Sequence, residues 1–146
     1  MILEYLGKIG LALLMSILVG FEREQSKKPV GLRDVALVTL GATFFAILAL
    51  ELVTIAGNVR YDIGRIIAYT VVGIGFLGSG VIMQNKDKLE GITTASTLWA
   101  MVGTGLFCGL GLYELALISG LCVYIILKSK HVRVTIAKTR KKRRKR

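Results

Sequence analysis

The stretch Ile66-Ile67-Ala68-Tyr69-Thr70-Val71-Val72-Gly73-Ile74-Gly75-Phe76-Leu77-Gly78-Ser79-Gly80-Val81-Ile82-Met83 runs for 18 residues without a charged side chain. Gly73, Gly75 and Gly78 fit G-x-G-x-x-G, which reads as a dinucleotide fingerprint only when a strand precedes it and a helix opens on it. Here the glycines sit inside an apolar run that shows no strand-like alternation. A bilayer core about 30 Å thick is crossed by roughly 17–25 helical residues. In lipid the backbone must satisfy its own N–H and C=O groups, so the run reads as a membrane helix. With 3.6 residues per turn, Gly73 and Gly80 share one face, and Gly75 and Gly78 fall roughly opposite. A helix that is small on two faces can be approached closely from both, which predicts a central place in the bundle.

Four more apolar stretches flank it, at 2–21, 32–56, 92–110 and 112–127. The expected fold is therefore an all-α integral membrane protein, a bundle of about five transmembrane helices with a basic cytoplasmic tail. Composition agrees: 53% of the 146 residues are hydrophobic, against about 45–50% in ordinary soluble domains. Mean hydropathy is +0.63. Glu4 and Lys8 interrupt the first stretch, but they lie four apart and can pair on one helix face. The chain starts acidic rather than basic, which favours a retained helix over a cleaved signal peptide.

The net charge of +11 is uneven. The last 19 residues hold eleven Lys and Arg with no acid, while the first 127 carry nine of each sign. Two units follow, a transmembrane domain over 1–127 and a basic tail over 128–146. With five spans, the 22–33 and 84–91 loops and the tail share one side and carry seventeen basic residues. Lys8, Arg60 and Arg65 are on the other. The positive-inside rule then puts the C-terminus in the cytoplasm and the N-terminus outside, as a multi-pass protein of the cell inner (plasma) membrane. The run from Lys138 to Arg146, eight basic residues in nine, reads as an anchor to anionic lipids rather than a nucleic-acid site, because the bundle tethers it to the membrane.

Cys108 and Cys122 lie in apolar runs and read as small buried hydrophobes. On the expected topology their depths differ by about 10 Å, beyond the reach of under about 7 Å that a disulfide needs, so both should be free thiols. His131 has no Cys or His partner nearby. No metal ligand set, cofactor site or catalytic constellation is apparent, and the chain does not read as an enzyme.

The most polar part of the body is Glu22-Arg23-Glu24-Gln25-Ser26-Lys27-Lys28-Pro29-Val30-Gly31-Leu32-Arg33-Asp34. Pro29 and Gly31 mark a turn before the second helix, and Asp34 suits that helix's positive end. The second and fourth helices both start on this side. Their N-termini, with Arg23, Lys28, Arg33 and the hydroxyls of Thr93 and Thr94, compose an expected site for an anion, such as a partner's carboxylate or a phosphate. Glu22 and Glu24 are expected to pair with the arginines when the site is empty. Gly105 and Gly109 give the fourth helix a close-packing face.

Three blocks together resemble the MgtC/SapB membrane domain. The first is Glu22-Arg23-Glu24 with Lys28-Pro29-Val30-Gly31-Leu32-Arg33. The second runs from Gly73 to Ile82, the third from Gly91 to Trp99 and on to Gly109-Leu110-Gly111-Leu112-Tyr113. The resemblance covers about residues 15–125. It implies a membrane protein linked to growth in low magnesium and, in pathogens, to survival inside host cells. It also implies regulation through other membrane proteins, with the ATP synthase as the proposed partner. Better-studied members often carry Asn at the position of Thr93 and Cys at that of Ala100, so roles tied to those side chains do not carry over. Many members continue into a soluble C-terminal domain, in place of which this chain has the basic tail. The function expected is a partner-binding membrane regulator, with a homo-oligomer among its expected assemblies. The alternative is a transporter or channel subunit for Mg²⁺ or another ion, against which stands the lack of charge in the central slices of all five helices.

Overall fold

The computed structural model describes residues 2–56, 62–85 and 88–143. Asn58, Arg60, Lys86 and Arg146 lie outside the described residues, as do the side chains from Lys130 onward. Five helices account for nearly all of it: α1 (Ile2–Gln25), α2 (Leu32–Ala56), α3 (Ile63–Val81), α4 (Ile92–Gly109) and α5 (Tyr113–Arg143). Between α3 and α4 lies a short antiparallel hairpin, β1 (Met83–Asn85) with β2 (Lys88–Glu90), which pairs Met83 with Glu90. The sequence reading has a plain loop there. The hairpin turns the chain before Gly91, whose φ of +90° starts α4 in a backbone conformation that L side chains rarely adopt.

The bundle is apolar outside. Phe76 is 82% exposed, and Leu37, Val72, Ile118 and Ile126 are also exposed. Such a shell is at home in hydrocarbon and out of place in water. By length and composition α1, α2 and α3 can each cross a membrane. The fourth helix is more polar, with Thr93, Thr94, Thr97 and Thr104, and this polarity has a place to go. It touches all four other helices, and Thr94, Thr97 and Thr104 are buried.

That arrangement corrects one expectation. The centre of the bundle is α4, not α3, which buries only Ile74 and Gly78. A Cβ at Gly73, Gly75 or Gly80 would meet nothing within 4 Å, and one at Gly78 would only touch the Ala95 Cβ at 3.7 Å. The small faces of α3 are thus mostly open within this chain. Small size alone marks where a helix can be approached, and not whether a neighbour is there.

The tight seam is between α2 and α4, which run parallel. A Cβ on Gly105 would strike the Thr39 carbonyl and the Ala42 Cβ, and one on Gly109 would sit 2.5 Å from both the Ala46 Cβ and the Thr43 O. The expected packing face of Gly105 and Gly109 is therefore in contact along both residues. Across the seam Thr43 Oγ1 donates to the Gly105 carbonyl at 3.0 Å. Thr39 donates to the Val35 carbonyl, and Thr43 shares its one proton between the Gly105 carbonyl and that of Thr39, so both hydroxyls are satisfied without water. Thr104 and Ser119 join α4 to α5 at 3.0 Å.

The turn from α4 to α5 closes as a Schellman motif: Leu112 N–H donates to the Phe107 carbonyl, Gly111 N–H to that of Cys108, and Gly111 has φ +78°. The far end of α1 is fastened nearby. Lys8 is buried and pairs with Glu4 at 3.0 Å, as the spacing implied. Tyr5 donates to Glu51 at 2.6 Å, which ties α1 to α2. Both cysteines are free, Cys108 buried and Cys122 exposed. The helix of α5 runs without a break across 127–128, the expected boundary between bundle and tail.

Candidate functional site

The charged turn between α1 and α2 is a closed device. Its first part is the end of α1, where Lys28 N–H donates to the Arg23 carbonyl and Lys27 N–H to that of Glu24. This is again a Schellman closure, but its left-handed position is held by Lys27, at φ 51°, where glycine is the usual choice.

Inside that closure Glu22 and Arg23 are both buried and form an ion pair. Arg23 Nε donates to Glu22 Oε2, and Ser26 Oγ donates to Glu22 Oε1 at 2.8 Å. Each oxygen of this carboxylate has a donor. A buried pair of this kind holds its geometry firmly, because losing either partner strands the other charge away from water.

The start of α2 is also occupied. Glu24 Oε1 accepts from Leu32 N–H at 3.1 Å, and Asp34 Oδ2 accepts from Gly31 N–H at 3.0 Å. The chain's own carboxylates thus take the first N–H of α2 and that of the residue before it, and lie at the helix's positive end. Gly31 makes room for this: a Cβ there would press on Glu24 Cγ and Oε1 at 3.0 Å. Pro29 lies exposed in the turn, and Val30 beside it is buried in the same apolar cluster as Leu98 and Leu127.

Two expectations need correction. At the start of α2 an outside anion meets the carboxylates of Glu24 and Asp34, which already take the N–H groups of Leu32 and Gly31. Glu24 bonds to the backbone rather than to an arginine; only Glu22 pairs with one. The expected cluster also divides by burial. Arg23 and Thr94 are buried, whereas Lys28, Arg33 and Thr93 are exposed. The Thr93 carbonyl accepts the Thr97 hydroxyl at 2.7 Å. Arg23 acts inward as a brace, and of the expected cluster the outward-facing cations are Lys28 and Arg33, with exposed Lys27 beside them.

Two residues of this site escaped the sequence reading. Ser26 lies four residues after Glu22, a spacing that places both on one helix face and could have been read. Gly20 sits where α1 and α2 cross, and a Cβ there would be 2.6 Å from Leu32 Cα. Nothing in a single sequence separates this glycine from the open ones at 73, 75 and 80. Among the described residues no group of three or more His, Cys, Asp or Glu is placed to hold a metal ion.

Comparison with known proteins settles the family. The model of the MgtC family matches residues 9–135. The chain belongs to the MgtC family. Protein MgtC of Salmonella typhimurium is 39% identical over 133 residues, covering 89% of this chain and 55% of that protein. An uncharacterized protein of Haemophilus influenzae is 32% identical over 127 residues, 84% of this chain and 53% of the relative. The Escherichia coli K12 protein named "Putative magnesium transporter YhiD" is 31% identical over 131 residues, 88% and 61% respectively. The chain thus spans a little over half the length of the curated relatives it matches. No solved structure matches it. The MgtC-family match includes the α1–α2 turn, the α2–α4 seam and most of α5.

Proposed function

We propose that this chain is a membrane regulator of the MgtC type, acting in adaptation to low magnesium by binding other membrane proteins, with the ATP synthase as the partner suggested by family resemblance. One observation carries the reading: a closed, internally bonded turn at one end of the bundle presents Lys28 and Arg33 outward. Buried Glu22 and Arg23, with half-buried Ser26, hold it rigid, and rigid presentation of charge favours selective docking over general attraction. We place this end in the cytoplasm, with the chain in the plasma membrane and the basic extension of α5 along anionic headgroups. The reading includes no enzymatic step and leaves room for homo-oligomers.

The name of the Escherichia coli relative favours a second reading, transport of Mg²⁺ or another ion. Mg²⁺ prefers oxygen ligands and gives up its water reluctantly. The central hydroxyls of Thr39, Thr43 and Thr97 donate to helix carbonyls, which supports a packed interior over a wet path. The two readings separate in one pair of measurements. Expression in a low-magnesium growth-defective strain should restore growth, and proteoliposomes of the purified chain should take up no more Mg²⁺ than empty vesicles. Uptake that scales with protein would favour transport and overturn the regulator.

A further inference from the structure

The α2–α3 interface is incomplete over much of its length. A groove of about 620 Å³ lies between them, with Gly41 and Phe45 on α2, Tyr69, Gly73 and Leu77 on α3, and Val102 of α4 among its lining. A Cβ at Gly41 or Gly73 would meet nothing within 4 Å, so the groove is wide at both glycines. It runs along α3 from Ile66 to Leu77, about 16 Å at 1.5 Å per residue. That is close to half of a hydrocarbon core about 30 Å thick, the depth of one leaflet. Since α2 and α3 are both long and apolar enough to cross a membrane, the medium beside the groove is acyl chain.

Arg65 lies next to the upper lining residue Ile66 and one turn before Tyr69, at the end of α3 remote from the charged turn. Its side chain is 71% exposed and only 3.8 Å from Asp62. Asp62 in turn caps α3 by accepting from the Arg65 backbone N–H at 3.1 Å. The guanidinium is therefore loosely held, and the α3 helix start beside it already carries the Asp62 carboxylate. Tails gain little by leaving lipid for an apolar groove. Selectivity has to come from the headgroup, and a guanidinium is well suited to phosphate.

We propose that the α2–α3 groove holds one acyl chain of a phospholipid whose phosphate is bound at Arg65. This is a separate site from the basic extension of α5, at the opposite end of the bundle.

The full chain, reconstituted in vesicles with a phospholipid carrying a photoactivatable group on its tail, tests this. Cross-links should concentrate on 37–45 and 66–77. Filling the groove by Gly41→Leu with Gly73→Leu should abolish them, with the thermal unfolding temperature unchanged or raised. Arg65→Gln should weaken capture of phosphatidylglycerol about fivefold, the factor a basic residue near an anionic surface supplies, and leave fold and oligomeric state unchanged. Cross-links spread evenly over the exposed faces of α3 and α5 would overturn the proposal. So would a detergent-solubilised dimer that the groove-filling pair converts to monomer, because a second copy would then be the occupant.

Discussion

Adding one methyl group at Gly109 tests the central seam. In the structure a Cβ there would lie 2.5 Å from both the Ala46 Cβ and the Thr43 carbonyl oxygen, where ordinary contact starts at 3.4 Å. Relief requires α2 and α4 to part by about 1 Å, which forfeits a quarter to a half of each dispersion contact along the seam. It also stretches the 3.0 Å bond from Thr43 to the Gly105 carbonyl to about 4 Å, beyond useful hydrogen-bond range. Overpacking costs roughly 1–3 kcal/mol, and an interhelical hydrogen bond in a membrane is worth about 0.6 kcal/mol, with a maximum near 1.7. The better helix propensity of Ala returns about 1 kcal/mol. Gly109→Ala should therefore destabilise the bundle by about 1–3 kcal/mol on these terms. Gly73→Ala, with nothing within 4 Å of its Cβ, should be neutral or stabilising by up to about 1 kcal/mol. Reversible unfolding in mixed micelles, followed by helical circular dichroism, measures both. Equal midpoints for the two variants would refute the placement of α4 against α2.

Lys27→Gly should raise unfolding stability by about 0.5–1 kcal/mol in the same assay, because φ 51° strains any residue with a Cβ. Arg23→Ala, which strands buried Glu22, should cost about 3–5 kcal/mol and lower the yield of folded protein. Arg33→Lys keeps charge but loses the planar fork; it should insert and unfold normally yet fail to restore growth in low magnesium, and full growth would leave Arg33 with a topological role only. A peptide of residues 128–146 should bind anionic liposomes and release as salt rises, and equal binding to neutral liposomes would exclude the anchor. Single cysteines at Lys27, Asn58 and Ser129 report topology: only the one at 58 should label from outside intact cells, and outside labelling at 129 would reverse the orientation.

Most of the helical framework was legible because apolar run length is a local property. The expected stretch at 32–56 matches α2 without adjustment, since Gly31 and Asp34 mark its start. The place of each helix in the bundle was less legible. Gly73, Gly75, Gly78 and Gly80 of α3 and Gly105 and Gly109 of α4 look alike in sequence, yet of these only Gly105 and Gly109 meet a neighbouring backbone. That distinction depends on register between helices far apart in the chain. The strands at 83–85 and 88–90 are three residues each and carry little β signal of their own, so they read as a plain loop. At the charged turn the residue set could be read, but the division of labour could not. Whether an arginine braces inward, like Arg23, or faces out, like Arg33, is decided by helical phase at the last turn of α1 and the first of α2.

The most direct test of the regulator reading is site-specific photocross-linking from Gln25, exposed beside the charged turn, in cells growing in low magnesium. A discrete adduct with another membrane protein is expected, absent when the cross-linker is moved to Phe76 on the apolar face and lost with Arg33→Lys. Identical adducts from positions 25 and 76, unaffected by Arg33→Lys, would contradict it.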